Sequence, residues 1–203
     1  MARIVVLASG SGTNCQALLD ATTSGELDAS IIAVVTNNPD AGVLARAEAA
    51  GVPALVVEHK GRDPELRRAA DLRLIETVRA QNPDLVVLAG WMRILGAEVG
   101  AAFPIMNLHP AKPGELPGVG AIERAFEAYQ RGEMSESGVM VHWVPDDGVD
   151  VGPVIASSTV PFQAEDTLNT FAERMHQAEH RLIVDGARLA LESIQAGREN
   201  PSS

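Results

Sequence analysis

Apolar residues in this chain recur in two rhythms that divide it into alternating element types. Short unbroken runs rich in β-branched side chains occupy residues 4–8, 31–35, 54–57, 84–90 and 105–108, as expected of strands buried on both faces of a parallel sheet. Between them, three-and-four spacing predicts a helix containing Gln16-Ala17-Leu18-Leu19, a second over 42–50 stopped by Gly51, and a third over 64–80 that Asn82-Pro83 ends. Strand and helix in alternation imply right-handed βαβ units. The expected fold class is therefore α/β, three α/β/α layers around a mostly parallel sheet.

Beyond residue 108 the rhythm changes. Residues 110–120 are too dense in Pro and Gly for regular structure, and long irregular loops in compact domains are often functional. Helical spacing returns over 121–131, with Ile122, Ala125, Phe126 and Tyr129 on one side, and an alternating strand follows at 138–144. Asp166 or Thr167 would cap a last long helix, in which Leu168, Phe171, Met175, Ala178 and Leu182 face the core while His176, Glu179 and His180 fall on other faces. His176 and His180 stand at i and i+4, but no third metal ligand accompanies them, so they are expected to face solvent. One domain over 1–196 and a frayed tail over 197–203 account for the chain.

Candidate chemistry gathers where the strands end. Asn107 and His109, two apart in a strand, point to one face, and Pro110, lacking an N–H, closes the strand just after them. Open α/β sheets bind ligands at that carboxyl edge. The alternative is a capped strand whose His109 is satisfied by a backbone carbonyl. The loop Ser9-Gly10-Ser11-Gly12-Thr13-Asn14 would present backbone N–H groups and the positive end of a helix to an anion, phosphate foremost; otherwise it is a tight turn with Thr13 or Asn14 as N-cap. It has neither the Lys of a P-loop nor the third glycine of the dinucleotide fingerprint. Residues 90–95 set large apolar groups beside Arg93, suiting a flat heterocycle with polar edges, unless Met92, Ile94 and Leu95 simply pack the next helix. Turn chemistry explains Asp146-Asp147-Gly148, whereas Asp150 stands beside the Gly152-Pro153 corner.

Charge and cysteine content narrow the classes. Sixteen Lys and Arg against 27 Asp and Glu leave a net charge of −11, which argues against a nucleic-acid surface but not against local capture of a small anion. The single Cys15 excludes an internal disulfide and a zinc site built on thiolates. No run approaches the ~20 apolar residues that cross a bilayer, and nothing resembles a signal peptide. A cytoplasmic protein acting on small molecules is expected.

Four stretches then act jointly: Ile4-Val5-Val6-Leu7 with the glycine loop, Val87-Leu88-Ala89-Gly90-Trp91-Met92-Arg93-Ile94-Leu95, Asn107-Leu108-His109-Pro110, and Val149-Asp150-Val151-Gly152-Pro153-Val154-Ile155. In this order and spacing they resemble, along nearly the whole chain, the formyltransferases that use 10-formyltetrahydrofolate. The resemblance implies a Rossmann-like sheet with an antiparallel C-terminal part. It also implies transfer of the formyl group of 10-formyltetrahydrofolate, a co-substrate used without a metal, to the amino group of glycinamide ribonucleotide in de novo purine synthesis. Asn107 and His109 would then stabilise the oxyanion, with Asp150 holding His109 and keeping it charged by raising its pKa. By the same resemblance Gly12, Thr13 and Asn14 take the nucleotide phosphate and Glu179 its ribose or amino end, a solvated helical Glu being the alternative. Met92, Arg93, Ile94 and Leu95 would hold the pterin, Asp146 and Asp147 its edge, and Arg67, with Arg68 as competitor, would approach the folate. Homodimerisation is implied in the same way, although the chain offers no separate apolar stripe for it.

Two positions depart from the family pattern: Lys112 where a Leu is common, and Gly120 where a His often stands. Both lie in the loop leaving the Asn107/His109 strand and keep a non-catalytic folate- or nucleotide-binding module in play. Hydrolysis of 10-formyltetrahydrofolate by a deformylase is the other alternative, though such chains usually carry a regulatory domain for which there is no room. The related enzyme acting on methionyl-tRNA needs a basic tRNA-binding domain, which length and charge disfavour.

Overall fold

In the computed structural model, which describes residues 1–58, 63–145 and 150–199, the apolar runs assemble into one seven-stranded sheet. Strands β1 (Ala2–Leu7), β2 (Ala29–Thr36), β3 (Ala54–Val56), β4 (Leu85–Leu88) and β5 (Ile105–His109) are parallel. Strand β6 (Glu136–Trp143) runs antiparallel to β5, and β7 (Val154–Pro161) antiparallel to β6. The order β3-β2-β1-β4-β5-β6-β7 matches the α/β class, including its antiparallel C-terminal part.

Among the described residues six helices cover the sheet: α1 (Thr13–Ser24), α2 (Val43–Ala49), α3 (Pro64–Ala80), α4 (Ala97–Ala102), α5 (Ala121–Gln130) and α6 (Leu168–Glu199). Alternate residues of a strand point to opposite faces, so Ile4 and Val6 join one core layer with Leu18, Phe126, Phe171 and Met175, while Val5 and Leu7 join another with Leu74, Ile75, Val78 and Val99. This two-sided burial is why the strand runs are continuously apolar. The strand order reverses between β1 and β4, where the loops after those two strands meet, and the loop after β5 shares a cavity with the loop after β4.

The structure revises several local expectations. The helix after residue 95, to which the sequence gives no bounds, is α4, six residues long, and β7 continues for eight residues although Ser157-Ser158-Thr159 carries no apolar pattern. Leu168 is 37% exposed, so the core face of α6 begins at Phe171. Thr167 caps α6 by accepting the Thr170 N–H at 3.2 Å, whereas Asp166 takes a two-pronged bond from Arg174 at 2.7 and 2.5 Å. Helix α6 runs on to Glu199, and Arg198 pairs with Asp84 at 2.8 Å, so residues 197–199 continue the helix rather than fraying. Among the described residues no helix is long and apolar enough to cross a membrane.

Helix α6 lies close to the sheet because Gly186 faces Val141 of β6. A Cβ there would stand 2.5 Å from a Val141 methyl. Gly186→Val is expected to destabilise the fold by about 1–3 kcal/mol through overpacking, read as a lower urea midpoint at unchanged slope.

Candidate active site

A cavity of about 620 Å³ opens at the carboxyl ends of β4 and β5. Its wall takes in Trp91 to Gly96 after β4, Asn107 and His109 of β5, Pro117 to Gly120, His142 of β6, Asp150 and Glu179 of α6. Asn107 and His109 share a face of β5, and Pro110 ends the strand, as their spacing requires.

Asp150 is the hub. One carboxylate oxygen accepts from the Asn107 amide at 2.9 Å; the other accepts from the Gly118 N–H at 2.9 Å and lies 3.3 Å from His109 Nδ1. Because a carboxylate only accepts, it fixes the amide with Nδ2 toward Asp150. The second N–H of that amide faces His142 Nε2 at 3.1 Å. The remaining nitrogen of His142 lies 2.9 Å from the Trp143 carbonyl. His109 Nε2 meets the Leu116 carbonyl at 3.0 Å, so both the carboxylate and the carbonyl anticipated as alternative partners are present, one at each nitrogen. Asp150 itself has a left-handed backbone, φ 56°, a conformation that Asp tolerates better than most residues.

Sequence reasoning passed over His142. Its cross-strand pairing with Asn107 follows from the β5–β6 register, and the signal was an ionisable residue within the apolar stretch 138–144. It also passed over Leu116, Gly118 and Arg124, whose part depends on how the 110–120 loop folds back.

The glycine loop lies on the same edge. Gly12 adopts φ 76° at the start of α1, and a Cβ there would collide with Val43 at 2.6 Å. Gly12, not Thr13 or Asn14, is the N-cap, and no side chain caps the helix, which leaves the first-turn N–H groups for an anion. Asn14 instead donates to Glu179 at 3.4 Å. Glu179 is buried at 7% exposure rather than solvated on an outer face of α6; His176 does face solvent, but His180 is half-buried.

The 90–96 loop is pinned where Ser9 Oγ accepts the Met92 N–H at 3.0 Å. Met92 and Ile94 are exposed at the cavity mouth, above a buried Trp91. The Arg93 guanidinium is 2.7 Å from Asp71 of α3 and lies over the Trp91 ring, so its charge is committed to a buried ion pair. Arg67 donates to the Ile94 carbonyl at 3.1 Å, while Arg68 turns to Glu98. Of the two, Arg67 is the one on the loop. Asp146 and Asp147 lie outside the described residues. Among the described residues no group of three His, Cys, Asp or Glu is arranged to hold a metal ion.

Burial pushes the His109 imidazole below its ordinary pKa, and the Asp150 carboxylate and Leu116 carbonyl oppose that shift without overcoming it. The expected elevation by Asp150 is thus outweighed by desolvation, with His142 and Arg124 adding to the depression. Burial would raise Asp150, but His142, the Gly118 N–H and His109 hold it below the usual carboxylate range. Burial raises Glu179, opposed by His176 and Asn14.

Residues 2–186 match the family model for formyl transferases. The chain is 43% identical over 196 residues to a phosphoribosylglycinamide formyltransferase of Schizosaccharomyces pombe, covering 91% of this chain and 94% of that one. It is 35% identical to the enzyme of the same name from Bacillus subtilis, covering 89% and 90%. The crystal structure of glycinamide ribonucleotide transformylase 1 from Symbiobacterium toebii superposes with a TM-score of 0.84 at 38% identity, covering 95% of this chain and 89% of that one.

His109 and His180 are both depressed, chiefly by burial, so in acid the unfolded chain binds protons that the native state refuses. Their contribution to stability is present above the ordinary histidine pKa of 6.5 and is lost as pH falls through the native values. Glu179, raised, acts oppositely from its ordinary value upward and offsets part of the loss from the two histidines. The urea midpoint is expected to fall between pH 7.5 and 5.5, and His180→Gln to flatten that slope.

Proposed function

The chain belongs to the formyl transferase family, and we propose that it transfers the formyl group of 10-formyltetrahydrofolate to the amino group of glycinamide ribonucleotide. The observation that carries this reading is the convergence of Asn107, His109 and Asp150, with contacts of 2.9 and 3.3 Å, on the wall of one cavity.

Attack of the amine on the formyl carbon places negative charge on the formyl oxygen. The C–N10 bond then breaks, and one proton moves from the amine to N10. Asn107 supplies an N–H for the oxyanion by exchanging its 3.1 Å approach to His142 for the substrate, while its bond to Asp150 keeps the amide in place. His109 has an acceptor at each ring nitrogen, so a second proton would be held on both sides. Burial keeps the ring neutral beforehand, and negative charge arising beside it tips the balance toward imidazolium. A ring poised in this way can take the amine proton and deliver it toward N10, directly or through water.

The uncapped start of α1 at Gly12, Thr13 and Asn14 suits the nucleotide phosphate. Glu179, buried on the same cavity, would accept a hydrogen bond from the ribose or from the amino end of the substrate, the latter neutral as attack requires. The apolar loop of Met92, Ile94 and Leu95, with the Arg93 backbone, suits the pterin, and Arg67 braces that loop from α3.

Following deformylated folate with and without glycinamide ribonucleotide tests the reading. Acceptor-dependent product is expected; equal rates in water alone would identify a hydrolase, and retained ligand binding without product a non-catalytic module. His109→Ala and Asp150→Ala should each lower turnover by about 10²- to 10⁴-fold while nucleotide affinity changes little, and near-normal turnover in either variant would remove the assigned roles.

A further inference from the structure

Arg124 has no place in the chemistry above, yet its guanidinium reaches four carbonyls of the active-site loop. From α5 its Nη2 donates to the carbonyls of Leu116 at 2.9 Å and Pro117 at 2.8 Å and lies 3.4 Å from that of Gly118; its Nε donates to Gly120 at 3.3 Å. A cation near a helix N-terminus opposes the helix dipole, so helix stability alone does not account for an arginine there. The loop it grips makes the two backbone contacts that complete the site. The Leu116 carbonyl faces His109 Nε2 at 3.0 Å, and the Gly118 N–H donates to Asp150 at 2.9 Å. Leu116 reaches that position only through a left-handed backbone, φ 45°, which is strained for a residue with a Cβ. Something must hold it there, and the carbonyl that His109 uses is the one Arg124 binds.

We propose that Arg124 is a positioning residue of the reaction, acting through the Leu116 carbonyl and the Gly118 N–H to fix the His109–Asp150 pair and to set the proton affinity of His109. The proposal rests on the reading of that pair as the proton-handling groups. Two effects run through the same guanidinium. It orients the acceptor at Nε2, and it places a fixed positive charge beside the imidazole, sharing the carbonyl's electron density with it. Among the described residues, the other charged or titratable groups around His109 are Asp150, which favours the imidazolium, His142 on β6, which disfavours it when charged, and, on the same cavity, Glu179 of α6 and Arg93, the latter paired with Asp71. Arg124 is the permanent cation that shares an acceptor with His109. Its removal takes away a positive charge and admits water, which favour the imidazolium, and loosens the Leu116 acceptor, which disfavours it; because burial is the main cause of the depression, the His109 titration moves up.

The test measures turnover and, without any substrate, the His109 titration by ¹⁵N NMR of the imidazole in the full chain. Arg124→Ala is expected to lower kcat about tenfold or more with KM changed only a few-fold, and to raise the His109 pKa by about half a unit or more. Arg124→Lys, which keeps the charge but not the fork, should leave the His109 titration near that of the unmodified chain while recovering kcat only in part. Arg124→Gln serves for the titration if the Ala variant does not fold. An unshifted His109 titration in both neutral variants, with reduced thermal stability as the sole effect, would reduce Arg124 to a structural staple and overturn the proposal. If the unmodified chain shows no formyl transfer while the titration still shifts, the functional reading fails and the influence of Arg124 on His109 stands; transfer with no shift is the reverse.

Discussion

The site depends on one buried carboxylate that has more claimants than oxygens. Asp150 receives the Asn107 amide and the Gly118 N–H and has His109 and His142 close by, so a single group orients an amide, an imidazole and a loop. Taking such a charge out of water is costly, and it is tolerated because every approach is from a donor or a ring able to become one. Its position, at a left-handed residue between β6 and β7, is local strain held by the surrounding hydrogen bonds.

Around that carboxylate the fold divides the labour by rigidity. Strand β5 carries Asn107 and His109, β6 brings His142 across by antiparallel register, and α6 delivers Glu179 from the opposite side. Loops then add what the strands cannot reach: free N–H groups at Gly12, an apolar shelf at 92–95, and the Leu116 and Gly118 backbone. Each loop is tied to the scaffold by a polar side chain, Ser9 for the shelf and Arg124 for the active-site loop. Arg46 does the same for the glycine loop, donating to the Ser11 carbonyl at 2.7 Å.

The two departures from the family pattern are accommodated in the same loop. Gly120 stands at φ 68° as the N-cap of α5, a conformation that suits glycine and turns the chain from the loop into the helix. Lys112 packs its stem against Gly138, whose missing Cβ leaves the room, and its ammonium reaches Glu136 at 2.8 Å. The loop is thus anchored at both ends by cations, one to a strand and one to its own carbonyls.

The alternation of apolar runs and helical spacing determined the layered parallel sheet, because two-sided burial and a helix face leave their periods in the residues themselves. The same logic brought Asn107 and His109 to one face and to a strand's end. What lies across space left weaker marks. The partnership of His142 with Asn107 required the β5–β6 register; the burial of Glu179 required the crossing of α6 over the sheet; and the turn of Arg93 to Asp71 required α3 beside the 90–96 loop. The charge of His109 is the clearest case. The resemblance to the formyltransferases implied a carboxylate that would raise its pKa, but desolvation is a property of everything packed around the ring, and only the tertiary structure decided that burial prevails.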